Sequence, residues 1–96
     1  MRFRPGDRVR VRRSFPIGHV RTPYYVRGKA GLVERACGSF PNPEELAYAR
    51  PGLPALPLYR VQFLQRDLWP DYAGHPADVL VAEIYQHWLE AVENLQ

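Results

Sequence analysis

Ninety-six residues, 46% of them hydrophobic, make one domain with a modest core (1–96), too short for two independent folding units. The single cysteine, Cys37, excludes an internal disulfide framework and a thiolate metal cage within one copy, and no apolar run approaches the roughly 20 residues that cross a bilayer. The opening M-R-F-R-P-G-D has no signal-peptide core, so the expected setting is soluble and cytoplasmic, without membrane association.

The net charge of +3 comes from thirteen Lys and Arg against ten Asp and Glu, and it is unevenly spread. Through Arg35 the only acids are Asp7 and Glu34, whereas from Ala36 onward the bases are Arg50, Arg60 and Arg66 against all the remaining acids. This asymmetry fits nucleic-acid binding, an acidic protein partner, or two solvated faces.

In chain order, Pro5-Gly6-Asp7 is a turn, and Arg8-Val9-Arg10-Val11-Arg12 alternates as a half-buried strand with both Val on one face. From Gly18 to Gly31 runs a loop, G-H-V-R-T-P-Y-Y-V-R-G-K-A-G, dense in aromatic and basic residues; loops of this length are functional or disordered, and the aromatic content argues for function. Gly28 and Gly31 beside a strand start predict a tight bend with φ > 0 at one or both. Leu32-Val33-Glu34-Arg35 is the next strand. Gly38 to Pro57 holds Pro41, Pro43, Pro51, Pro54 and Pro57 and reads as largely irregular, with a short helix at Pro43 to Tyr48.

Leu58 to Leu64 is the clearest strand, with Tyr59, Val61 and Phe63 on one face; Arg66 to Trp69 is a short turn stopped by Pro70, and Asp71 to Pro76 a polar loop. From Asp78 on, Leu80, Ile84 and Trp88 recur at helical spacing, yet Val79 to Tyr85 is equally a strand, and periodicity leaves both open. Trp69, Trp88, Tyr59 and Phe63 are expected in the core, as is at least one of Tyr24 and Tyr25. Cys37 is expected to be an inert small residue near a strand end.

The runs G-D-R-V-R-V, G-H-V-R-T-P-Y-Y-V-R-G-K-A-G, F-P-N-P-E, P-L-Y-R-V-Q-F, D-L-W and H-W-L-E, in this order, resemble the C-terminal domain of nitrile hydratase β subunits over nearly the whole chain. The resemblance implies an all-β fold, a small SH3-like barrel with long loops and short helical turns. It also implies a strand from Val79 to Ile84, a turn near Tyr85 to His87, a last short strand through Leu89, and any tail helix confined to the final residues. Trp69-Pro70 and Glu83-Ile84-Tyr85 depart from the family's usual Trp-Gly and Asp-Leu-Trp. The helical N-terminal half of the usual β subunit is expected from a second small β-type chain, as in split, three-subunit hydratases of the toyocamycin type; thiocyanate hydrolases are related.

By the same resemblance the chain itself binds no cofactor. Non-haem Co(III) or Fe(III) is expected in a partner α subunit, on a loop of oxidised cysteines, with a nitrile as substrate and an amide as product. Arg27, in Y-V-R-G, matches the arginine that hydrogen-bonds those cysteine oxygens. Its guanidinium fork suits sulfur oxyanions in a way that Lys cannot reproduce. His19, Arg21, Tyr24 and Tyr25 are candidates for the partner interface. The competing readings are a hydratase assembly or metal-insertion factor, and a KOW-type SH3-like module in which the basic first third contacts phosphates.

Overall fold

Alternation of apolar and polar residues accounts for most of the architecture seen in the computed structural model, which describes residues 2–13 and 22–92. Five strands, β1 (Arg8–Val11), β2 (Ala30–Phe40), β3 (Leu56–Leu64), β4 (Val79–Tyr85) and β5 (Leu89–Ala91), form one antiparallel sheet in the order β4-β3-β2-β1-β5. Two short helices, α1 (Pro43–Leu46) and α2 (Gln65–Leu68), and 3₁₀ turns at Tyr24–Val26 and Gln86–Trp88 complete it. The expected all-β class with helical turns is present. No helix among the described residues is long and apolar enough to cross a membrane.

The inward faces are those that period two selects: Val9 and Val11 on β1, and Tyr59, Val61 and Phe63 on β3, all essentially inaccessible. Val33, Ile84, Trp88 and Leu89 close the core with Val26 and Leu68 from the connections and Phe3 from the N-terminal segment.

The sheet cannot be flat. Tyr85 sits beside Leu58 and Leu58 beside Gly38, while Leu89 sits beside Val11 and neighbouring Arg10 beside Ala30. In a flat sheet those pairings would put Tyr85 and Leu89 about 30 Å apart, from strand spacings of about 4.8 Å and a rise of about 3.3 Å per residue. Four peptide units span at most about 15 Å, so the sheet coils until its edge strands meet at the Gln86–Trp88 turn. Two irregularities in β2, between Val33 and Arg35 and between Ala36 and Gly38, supply local bend and twist. No β4–β5 ladder closes the circle among the described residues.

Several expectations need correction. The irregular stretch is shorter than its prolines suggest, because β2 runs on to Phe40 and β3 already begins at Leu56; Pro57 is accommodated within that paired segment. Cys37 therefore lies within β2, its Sγ 3.9 Å from Glu83 Oε2. The turn at Arg66 to Trp69 is a helical one, α2, which buries Leu68 and swings Trp69 outward to 38% exposure. Trp69 is not core. Nor is either tyrosine of the loop: Tyr24 is 74% and Tyr25 38% exposed, and Val26 takes the inward place.

Val79 to Tyr85 is strand, paired along β3's free edge, with Leu80, Ala82 and Ile84 turned to the core and Val79 and Val81 outward. The implied turn and last strand follow at Gln86–Trp88 and Leu89–Ala91. His19, Arg21 and the final residues 93–96, the place of any tail helix, lie outside the described residues.

Candidate functional site

The second half of the long loop is shaped by Pro23, Val26 and Gly28. Pro23, at φ −59° and ψ 138°, opens a single 3₁₀ turn closed by Val26 N–H to Pro23 O (3.3 Å) and Arg27 N–H to Tyr24 O (3.2 Å). Three successive residues of a 3₁₀ turn point in three directions, so burying Val26 drives Tyr24 and Tyr25 to the surface. Gly28, at φ +79°, then reverses the chain and donates to Val11 O (2.8 Å), while Val11 donates to Lys29 O (2.9 Å). Arg27 is thus held between a buried anchor and a left-handed turn pinned to β1. Gly31, three residues on, has ordinary φ; it is glycine because a Cβ there would stand 2.7 Å from Gln62 O on β3.

The Arg27 side chain is half-buried and oriented from two sides. Its Nη2 donates to the carbonyl of buried Thr22 (2.9 Å), and its Cζ lies 5.0 Å from the centre of the Trp88 ring, a cation–π distance. Trp88 is 4% exposed and fixed in turn: its carbonyl accepts from Arg12 N–H (2.8 Å) and its Nε1 donates to Glu44 Oε2 (2.7 Å). Arg12 also donates through Nε to His87 O (2.8 Å). The place of the guanidinium over Trp88 and one of its donor directions are therefore set by the fold.

Arg27 opens onto a cleft of about 450 Å³ lined by Arg13, Tyr24, Tyr25, Arg27, Gly28, Lys29, Leu68 and Trp69. Three cationic residues share it, and no Asp or Glu is among its described lining residues. Tyr25 and Trp69 rest against each other with ring centres 5.4 Å apart, and Trp69 Nε1 donates to Gln65 Oε1 (2.7 Å). Charge of one sign in such a cleft attracts negative charge. Among the described residues no group of three or more His, Cys, Asp and Glu could hold a metal ion.

Of the residues singled out in the sequence, Arg27, Tyr24 and Tyr25 come together here. Sequence reasoning missed Arg13 and Lys29 as lining, Trp69 as a wall rather than core, and Trp88 and Glu44 as the support of Arg27. The signals were available: Glu44 closes F-P-N-P-E and Trp88 stands in H-W-L-E, two of the six motif runs, but nothing local says that these runs meet.

The family described as nitrile hydratase beta subunit, C-terminal, matches residues 1–91. Nitrile hydratase subunit beta of Pseudomonas chlororaphis is 35% identical over 95 residues, covering 98% of this chain and 42% of that protein. Thiocyanate hydrolase subunit alpha of Thiobacillus thioparus is 34% identical over 90 residues, covering 93% of this chain and 71% of that one. Among solved structures, a chain of the recombinant apo-enzyme of thiocyanate hydrolase from Thiobacillus thioparus superposes with a TM-score of 0.88 at 33% identity, over 95% of this chain and 76% of its own length. This chain spans less than half the length of the nitrile hydratase β protein it matches.

Proposed function

Because the chain belongs to the family formed by the C-terminal domains of nitrile hydratase β subunits, we propose that it is a small subunit of a nitrile hydratase-type metalloenzyme, which adds water to a nitrile to give an amide. In this reading it packs its basic cleft on a metal-bearing α-type chain and presents Arg27 to that chain's oxidised cysteine loop. Cobalt or iron resides in the partner.

The observation that carries the reading is the Arg27 guanidinium, held over the Trp88 ring and tied to Thr22, at the wall of a cleft with two further cations. A planar fork held in one orientation donates in parallel to the oxygens of a sulfur oxyanion and stabilises their ionised form without reorganising on contact. Lys29 and Arg13 add attraction without that geometry. The cleft's aromatic wall, Tyr24, Tyr25 and Trp69, gives the partner apolar surface to cover. A subunit of a thiocyanate hydrolase is the second reading, supported by the similarity in sequence to that enzyme's α subunit and by the close superposition on a chain of its apo-enzyme.

The test is Arg27→Lys in the reconstituted complex, compared with Arg10→Lys on the outward face of β1. Losing an oriented charge-assisted contact at a reacting centre costs about 2–4 kcal/mol, so Arg27→Lys should lower turnover roughly 30- to 1000-fold with the fold intact, and Arg10→Lys should change it little. Complexes are matched for metal content and cysteine oxidation, because impaired assembly would imitate lost catalysis. Turnover within about twofold of wild type for Arg27→Lys would remove the clamp role.

A further inference from the structure

Glu44 is absent from the lining of the cleft, yet it is one residue removed from Arg27 through Trp88. A buried indole N–H needs an acceptor, and a carbonyl or an amide oxygen would satisfy it. Here the acceptor is a carboxylate from 44 positions away in the chain, at 2.7 Å. Its placement is built: Asn42 caps α1, its Oδ1 accepting from Glu44 N–H (3.0 Å), and Pro43 begins the helix. The carboxylate also meets His87 Nε2 at 3.1 and 3.2 Å, which holds both oxygens in place beside the indole.

An N–H that donates to an anion shifts electron density onto its ring, because hydrogen bonds in series polarise one another. The ring so enriched is the one whose face carries the Arg27 guanidinium. We propose that Glu44 is a positioning residue for Arg27, acting through Trp88: its negative charge strengthens the indole's hold on the guanidinium and keeps the fork in one orientation at the cleft wall. The proposal rests on the reading of Arg27 as the partner-facing group. It also assigns a purpose to the proline-rich excursion after β2, which delivers a carboxylate to the back of the site.

Glu44→Gln separates charge from shape, since the amide oxygen can still accept from Trp88. Nuclear magnetic resonance of the full chain follows the Arg27 guanidinium directly. In Glu44→Gln the backbone spectrum away from the site should stay as in wild type, while the Arg27 Nε–H and Cζ resonances shift and rotation about Nε–Cζ quickens. Trp88→Phe keeps a ring beneath Arg27 but releases Glu44 and leaves α1 untouched; it should give shifts of the same kind, and adding Glu44→Gln to it should move them no further.

In the reconstituted complex Glu44→Gln should lower kcat about three- to tenfold with KM within about twofold, and should have no added effect in the Arg27→Lys background. Unchanged Arg27 resonances in either single variant, or multiplicative losses from Glu44→Gln and Arg27→Lys, would overturn the proposal. Wild-type kcat in Arg27→Lys would instead remove the proposed function, and the resonances alone would then decide whether Glu44 positions Arg27.

Discussion

Two glycines follow Arg27, one at the chain reversal and one inside β2, and they are glycine for different reasons. At Gly28 the backbone is left-handed, φ +79°, while the nearest atoms a Cβ would meet are those of the Arg13 side chain at 3.6 Å, ordinary contact. Gly28→Ala should therefore cost about 1–2 kcal/mol through backbone strain. Gly28→Asn should recover most of that loss, because Asn visits this region readily. At Gly31 the obstacle is β3 itself, with Gln62 O at 2.7 Å and Val61 Cγ1 at 2.9 Å from a built Cβ, so Ala must push two paired strands apart at about 1–3 kcal/mol. Asn should be worse there, not better. Urea unfolding of the four variants reads the difference, and a rescue by Asn at Gly31 would show the close approach to be misjudged.

At the scale of elements, β3 is the spine, since it pairs with β2 and β4 and its Tyr59 also anchors the chain's start. The Tyr59 hydroxyl accepts from Phe3 N–H (3.2 Å) and donates to Gln86 Oε1 (2.7 Å), which also accepts from Arg2 N–H (3.3 Å). Phe3 is buried, its ring edge-on to Tyr59 with centres 5.4 Å apart. Tyr59→Phe keeps the ring but leaves Phe3 N–H without that acceptor, a loss of about 1–3 kcal/mol. Hydrogen exchange should quicken at Phe3 well before it quickens in β3 and β4. Unaltered Phe3 protection would mean that the N-terminal segment is held by something other than this hydroxyl.

Elements also differ in how far local sequence reveals them. β1 and β3 bury every second side chain and so announce themselves by period two. β2 does not: two register shifts interrupt it and Val33 is its only fully buried residue, so alternation dies out after Arg35 although pairing continues to Phe40. Helix α2 is a single turn, too short for any periodicity, and it alone turns Trp69 from the core to the cleft.

For the whole molecule, three bases of the N-terminal third, Arg13, Arg27 and Lys29, meet in one concave surface with no acid among the described lining residues. Charge of one sign in a cleft speeds encounter with an oppositely charged partner and is screened by salt. Association with the proposed metal-bearing partner should slow about tenfold or more between low salt and about 0.5 M, where the Debye length falls to roughly 4 Å. Arg13→Glu with Lys29→Glu should reproduce most of that slowing at low salt and alter dissociation far less. Stopped-flow association rates that ignore salt would place the partner surface elsewhere on the chain.

The amino-acid sequence by itself determined the strands with regular alternation, the single-cysteine chemistry, the two-sided charge and, through six ordered motif runs, the family. These are local or compositional properties, carried by residue identity and spacing. Periodicity left Val79 to Tyr85 open between helix and strand and only the family resemblance implied strand; the tertiary structure supplies the physical reason, the free edge of β3 that pairs with it. It also decided which aromatic residues are buried: Trp88 is under the sheet's coil and Trp69 outside it, a distinction that spacing cannot express. The support of Arg27 by Trp88 and Glu44 was the least legible, since it joins three segments far apart in the chain, and only the coiling of the sheet brings them within hydrogen-bonding reach.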